Sequence, residues 1–263
     1  MHEEKLSIMH ILVTNDDGVT APGLLALAQQ MRLLGRVSVV APDHNWSASG
    51  HVKTMHRPLR VKEVELADGS DALASDGAPS DCVALALLGL VEEKIDLVVS
   101  GINPNANIGH DVTYSGTVTA AMEAVIWGLP GIAVSLDSPP NWRGNLDYTA
   151  AAQVAARIVK ILEQHGLMRE ILLNVNVPYL PIDQLDEMRL TRQGLRVYRD
   201  QLDRRLDPRG QPYYWIGGEA PTGVVENGTD FGALADGVVS ITPLHLDLTD
   251  YQQLKTLTQW TWN

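Results

Sequence analysis

Short apolar runs alternate with helical periodicity along the first half of the chain. "MHILVT" (9–14), "RVSVVAP" (36–42), "IDLVVSG" (95–101) and "GIAVSL" (131–136) show little polar alternation. That pattern predicts strands buried on both faces. Between them, "PGLLALAQQMRLLG" (22–35), "SDCVALALLGLV" (80–91) and "TVTAAMEAVIWG" (117–128) repeat apolar residues at helical spacing. Pro22 falls in the first turn of its helix and Gly35 at its end, while Ser80 or Asp81 suits the cap of the second. Strands alternating with helices predict an α/β fold with a mainly parallel sheet covered on both faces.

The "SPPNWRGN" stretch (138–145) reads as a loop or hinge. A long helical pattern follows over 146–166, then a strand, "EILLNVNVP" (170–178). From about Tyr179 the pattern turns irregular, with Gly/Pro turns and short β-like runs such as "GVVSITPL" (237–244). The expected organisation is a core over 9–138 and a C-terminal region over 139–263. The latter supplies a helix and strand to complete the core, then becomes a smaller β-rich part. No internal repeat or low-complexity segment stands out.

Composition narrows the function classes. The formal net charge is -12, without a Lys/Arg cluster, so a nucleic-acid duplex is not an expected partner. An acidic protein that binds an anion needs a local device such as a metal, a helix N-terminus or a nest of amides. The single cysteine, Cys82, excludes an internal disulfide and fits a reducing compartment. No apolar stretch reaches the roughly 20 residues that span a bilayer, and the N-terminus lacks a signal-peptide pattern. The expected location is the cytoplasm, with no membrane partner.

The chemistry concentrates in three loops at the carboxyl edge of the expected sheet, where ligands bind in such folds. The first, "NDDGVTAPG", sets Asp16 beside Asp17. The pair suits an Asx-type turn or a helix cap, and it equally suits a hard divalent cation such as Mg²⁺ or Mn²⁺, which takes oxygen ligands. A cation also relieves the like-charge repulsion. The second loop, "PDHNWSASGH", offers the Ser47 hydroxyl as a further ligand. Its histidines lack zinc-type spacing. The third, "GINPNANIGHDVTYSGT", places Asn103 just past a strand, where its amide oxygen would complete an all-oxygen site. "YSGT" then runs into a helix whose first amides, with the Ser115 and Thr117 hydroxyls, would cradle a phosphate. Thr117 is also a suitable N-cap. Together the loops suggest metal-assisted hydrolysis of a phosphate ester.

The motifs "TNDDG", "APDHNWSASG", "SGIN…N.G…YSGTV.AA.EA", "LNVNVP" and "GTDF.AL.DG.VSITPL..DLT" resemble those of the stationary-phase survival protein family, SurE, from about Met9 to Thr249. The resemblance implies a metal-dependent 5'-nucleotidase with a Rossmann-like core. It implies one divalent cation per subunit, held by Asp16, Asp17, Ser47 and Asn103. It also implies a substrate phosphate held by Asn107, Ser115, Gly116 and Thr117. It further implies a homodimer or tetramer built on an exchanged C-terminal arm, with 228–249 in the assembly region. Two positions depart from the family pattern: Asn105 where glycine is usual, and Ala78 in "DGAP" where threonine is frequent. The first bears on the loop rim and substrate access, the second on substrate preference.

Asp16 and Asp17 are the catalytic candidates, although a carboxylate clamped on a metal is a poor base. His110 and Asp111 lie near in sequence but read as surface loop residues. Two rival readings compete: a Mg²⁺-binding receiver-like signalling module and a haloacid-dehalogenase-type phosphatase. The first needs a third strand-end Asp and a later Lys. The second needs D-x-D, where this chain has D-D-G.

Overall fold

The computed structural model describes residues 8–140 and 142–262. Strand β1 (His10–Thr14) leads into helix α1 (Pro22–Met31) and strand β2 (Arg36–Pro42). Strands β3 (Val61–Glu65) and β4 (Asp71–Ser75) precede α2 (Pro79–Leu85). Then come β5 (Leu97–Asn103), α3 (Gly116–Ile126), β6 (Gly131–Asp137), α4 (Thr149–Gln164) and β7 (Leu172–Pro178). The remainder holds β8 (Met188–Leu190), β9 (Arg196–Leu206), β10 (Pro212–Gly223), α5 (Asp230–Ala235), β11 (Val239–Leu244) and α6 (Tyr251–Leu257).

Nine strands form one sheet in the order β3-β4-β2-β1-β5-β6-β7-β11-β8, and β9 and β10 form a separate antiparallel hairpin. Six neighbouring strands, from β4 to β7, run parallel. β3 runs against β4 and β11 against β7, while β8 runs parallel to β11. Strand residues alternate between two buried faces, as a parallel sheet requires. Ile11, Val13 and Val99 pack with α1 and α4, while Leu12, Val40 and Val98 pack with α2 and α3. The chain leaves β1 toward β2 on one side and returns to β5 on the other. The switch point therefore lies between β1 and β5, and a crevice at their carboxyl ends follows from the topology.

Several expected boundaries move. The helix over 80–91 starts at Pro79 behind the N-cap Ala78 and ends at Leu85. A wide turn follows in which Gly89 takes φ 114°, a value glycine tolerates and other residues resist. Neither Ser80 nor Asp81 is the cap. Instead the Asp81 carboxylate accepts from the Ala78 amide at 3.0 Å, back from the first turn. The α4 pattern contracts from 146–166 to Thr149–Gln164. β3 and β4 went unread in the sequence. They pair around "ADGS", with Gly69 at φ 80°, a turn composition that marks such hairpins.

The sheet also crosses the expected boundary at residue 138 without a break. β6 and β7 pair through seven consecutive residues, and β11 and β8 extend the same sheet. The stretch 228–249 thus contributes an interior strand as well as α5. At the head of α5, fully buried Asp230 accepts from the amides of Gly109, Gly194 and Phe231 at 2.7, 2.8 and 2.9 Å. Those bonds hold the long loop after β5 against the C-terminal segment. Replacing Asp230 by Ala leaves buried amides without an acceptor, at about 1–3 kcal/mol for such a group. Asp230→Ala should therefore lower the unfolding free energy measured in urea by that amount, with accelerated amide exchange at Gly109 and Gly194.

Candidate active site at the switch point

β1 is wholly buried and ends at Thr14. Asn15 then makes the turn. Its Nδ2 donates to the Gly18 carbonyl at 3.0 Å, and its Oδ1 accepts from the Gly18 amide at 3.2 Å. The Asx-type role that the sequence left open for the acids thus falls to Asn15, and both carboxylates are free of it. Asp16 is buried, and its Oδ1 accepts from the Thr117 hydroxyl at 2.5 Å. Its backbone carbonyl accepts from the Trp46 amide at 2.7 Å, which docks the second loop against the first. Half-buried Asp17 accepts from Asn45 Nδ2 at 3.3 Å. Asn45 Oδ1 in turn accepts from the Ser47 amide at 2.8 Å, so Ser47 and Asp17 share one neighbour.

These side-chain partners are neutral, and that sets the electrostatics. Burial pushes Asp16 above its ordinary value, opposed by the Thr117 hydroxyl and by amides at the start of α3. Burial, and then the negative charge of Asp16, push Asp17 up to about 7. Two adjacent carboxylates that resist joint ionisation fit a cation, whose charge favours both ionised forms. Among the described residues no cluster of three His, Cys, Asp or Glu stands ready to hold a metal. Any cation bound by this pair must therefore take neutral oxygens too, which fits a hard ion such as Mg²⁺ or Mn²⁺.

Asn103 is the last residue of β5, the strand beside β1. Its Nδ2 donates to the Asn105 carbonyl at 2.5 Å, leaving the amide oxygen as the free acceptor. Between Ser100 and Asn103 the register with β6 slips, and such bulges re-aim a side chain at a strand end. Asp16, Asp17 and Asn103 thus sit at the carboxyl ends of adjacent strands, with Ser47 exposed on the loop docked against them.

The start of α3 closes the other wall. Ser115 is its N-cap, accepting from the Val118 amide at 3.2 Å, so Thr117 is not the cap. The Thr117 hydroxyl proton is spent on Asp16, whereas the Ser115 hydroxyl keeps its proton. Gly116 lies directly on Asp16: a Cβ there would stand 2.6 Å from Asp16 Cβ. Asn107 is tied on several sides. Its amide donates to Asn176 Oδ1 at 2.8 Å, its carbonyl accepts from Asn174 at 2.7 Å and Asn176 at 3.1 Å, and its Nδ2 donates to Ser135 Oγ at 2.8 Å.

Sequence reasoning overlooked this supporting set. Asn174 and Asn176 stand two apart in a fully buried strand, and paired polar side chains at such positions signal hydrogen-bonding duty. Buried Glu123 was likewise passed over. Burial opposes its charge, but hydrogen bonds from His51, Trp127 and Lys53 prevail and hold it at about 2, pinning residues 51–53 to α3. Asp111, near the phosphate loop in sequence, instead faces β9. It accepts from the Tyr198 hydroxyl at 2.7 Å and pairs with Arg196 at 2.9 Å.

Asn105 does not use the left-handed conformation, and its side chain accepts from Ser138 Oγ at 3.4 Å. Ala78 is fully buried at the head of α2, so the missing hydroxyl concerns a helix cap and not a surface that a substrate meets.

Two outcomes follow from this geometry. With its folded pKa raised from 3.8 to about 7, Asp17 favours folding below pH 4 and loses that contribution as pH rises to about 7. EDTA-treated protein should therefore lose stability across that window. Asp17→Asn should recover about 1–2 kcal/mol of it at pH 8 once partial solvent exposure is allowed for. Urea unfolding at pH 5 and pH 8 measures both. Gly116→Ala must displace Asp16 or the helix start, and should weaken Mn²⁺ binding by at least about tenfold in calorimetry.

Comparison with known proteins finds relatives along nearly the whole chain. Residues 11–200 match the family described as survival protein SurE. A 5'-nucleotidase SurE from Herpetosiphon aurantiacus is 54% identical over 255 residues, spanning 97% of this chain and 99% of the relative. A protein of the same name from Chloroflexus aggregans is 51% identical, spanning 97% of this chain and 100% of its own. The crystal structure of the SurE protein from Aquifex aeolicus superposes with a TM-score of 0.79 at 40% identity, over 95% of this chain and 98% of that one. Matched over most of its length by the family and nearly end to end by these relatives, the chain belongs to the SurE family.

Proposed function

We propose that this chain is a phosphoric monoester hydrolase that converts nucleoside 5'-monophosphates to nucleoside and phosphate. We further propose that it does so with one divalent cation per subunit, Mg²⁺ or Mn²⁺. The observation that carries the reading is the buried Asp16–Asp17 pair, with neutral partners, set against the start of α3 at the switch point. Asp16, Asp17, Asn103 and Ser47 are the residues that would hold the cation. A divalent cation held there supplies positive charge against the charge that builds on the phosphoryl oxygens.

The chain's own groups do the rest. Thr117 fixes Asp16 in one orientation. The start of α3 favours negative charge through its dipole, and its Gly116 and Thr117 amides already face Asp16. Gly116 permits that close approach, and Ser115 retains a donor for a phosphate oxygen. Asn107, held by Asn174 and Asn176, keeps the third loop in register with β7. These assignments take Asn107, Ser115, Gly116 and Thr117 as the phosphate side of the site and Asp16 and Asp17 as the catalytic pair.

The proposal extends to self-association and location. The β9–β10 hairpin exposes Leu202 and, directly opposite it on the same face, Ile216, a surface that a second copy of the chain would cover. The single cysteine is buried, and none of the described helices is long and apolar enough to cross a membrane. Both suit the cytoplasm.

Hydrolysis of a panel of 5'- and 3'-nucleotides with Mn²⁺, repeated with EDTA, tests the reading. Activity on 5'-monophosphates should vanish on complete metal removal and return on readdition. Asp16→Asn and Asp17→Asn should each lower kcat/KM at least about a hundredfold. Turnover that persists without metal sinks the proposal. An aspartyl-phosphate trapped on Asp16 supports haloacid-dehalogenase-type chemistry in its place.

A further inference from the structure

The three loops account for the phosphate end of a nucleotide, and the base end needs a flat apolar partner within one nucleotide's length. A path of contacts leads from the proposed cation ligands to such a partner. Asn103 bonds Asn105, and Asn105 accepts from Ser138 at the start of the 138–145 loop. That loop turns back through a bond from the Trp142 amide to the Pro139 carbonyl at 3.2 Å. The Trp142 ring then meets Tyr179 edge-on, centroids 5.4 Å apart. From the other direction, Tyr148 packs on Gly23 at the start of α1, and the amide of Asp147 next to it donates to the Tyr179 hydroxyl at 3.3 Å. Trp142 and Tyr179 therefore stand beside the crevice and not across the molecule from it.

Tyr179 also lines a cavity of about 370 Å³ beside the start of α4, walled by Leu180 and Ile182, with Asp147, Thr149 and Gln153 among its polar groups. That size and lining, apolar with a few polar groups, is usual for a small-molecule site. Trp142 is 47% exposed, so much of its ring surface is open to a ligand. Bases stack readily on such rings. Taking the site as a nucleoside 5'-monophosphatase, we propose that Trp142 and Tyr179 form its nucleobase subsite, with the base seated at this cavity. The 138–145 loop then sets which nucleosides the enzyme prefers, while the three glycine-rich loops handle the phosphate common to all.

The test compares kcat/KM for adenosine 5'-monophosphate with that for ribose 5-phosphate, which carries the same phosphate without a base. Trp142→Ala should lower the ratio of the two about tenfold, mainly through KM for the nucleotide. Trp142→Phe should retain most of the ratio. Adenosine alone, titrated calorimetrically into the full chain, should bind the natural protein and fail to bind Trp142→Ala. A ratio unchanged in both Trp142→Ala and Tyr179→Leu, or adenosine binding that survives both, overturns the subsite. If the natural protein hydrolyses neither phosphate, the functional reading fails, and the adenosine titration alone decides the subsite.

Discussion

The hydrogen bond from the Thr117 hydroxyl to the buried carboxylate of Asp16 joins the two halves of the site. It spans 101 positions of sequence and ties the end of β1 to the start of α3. Because Asp16 is buried, its charge needs compensation, and neutral donors supply only part of it. Asp17 beside it makes the deficit larger. The geometry thus favours a cation at the point where the sheet's topology opens a crevice. Gly116, with no side chain, lets the helix start rest on Asp16 at that point.

Around this pair the fold spends buried polar side chains on holding loops. Asn174 and Asn176 hold Asn107, Asp230 holds Gly109 and Gly194, and Glu123 holds residues 51–53. Each of these groups comes from a helix or strand of the scaffold, and each reaches a loop that carries a candidate ligand or adjoins one. Sites of this kind are accurate because rigid elements support the groups that touch substrate. The C-terminal segment takes part in this support, since Asp230 and β11 belong to the same body as the crevice. The β9–β10 hairpin pairs outside the main sheet.

The strands and helices that build the crevice were legible because burial on both sheet faces leaves an apolar run with little alternation. The candidate site was legible for a similar reason. Asp16, Asp17 and Ser47 follow apolar runs and Asn103 ends one, so all four fall at the carboxyl edge of the sheet where ligands bind in such folds. β3 and β4 were harder, because an edge hairpin carries polar residues on its exposed face. The helix start at Pro79 was missed for a local reason. A buried alanine gives no capping signal, and Asp81 works back from inside the helix.

Sequence by itself determined the type of fold, the order of the strands and helices that build the crevice, and the chemical character of the three loops. Those follow from local periodicity and residue type. Tertiary structure decided which polar groups are free. It gave the Asx turn to Asn15, committed the Thr117 hydroxyl to Asp16, left the Asn103 oxygen open and turned Asp111 toward β9. Two of those assignments, Thr117 with Asp16 and Asp111 with Tyr198, depend on partners 101 and 87 positions away in the chain. A hydrogen bond has one geometry and two ends, and local sequence contains only one of them.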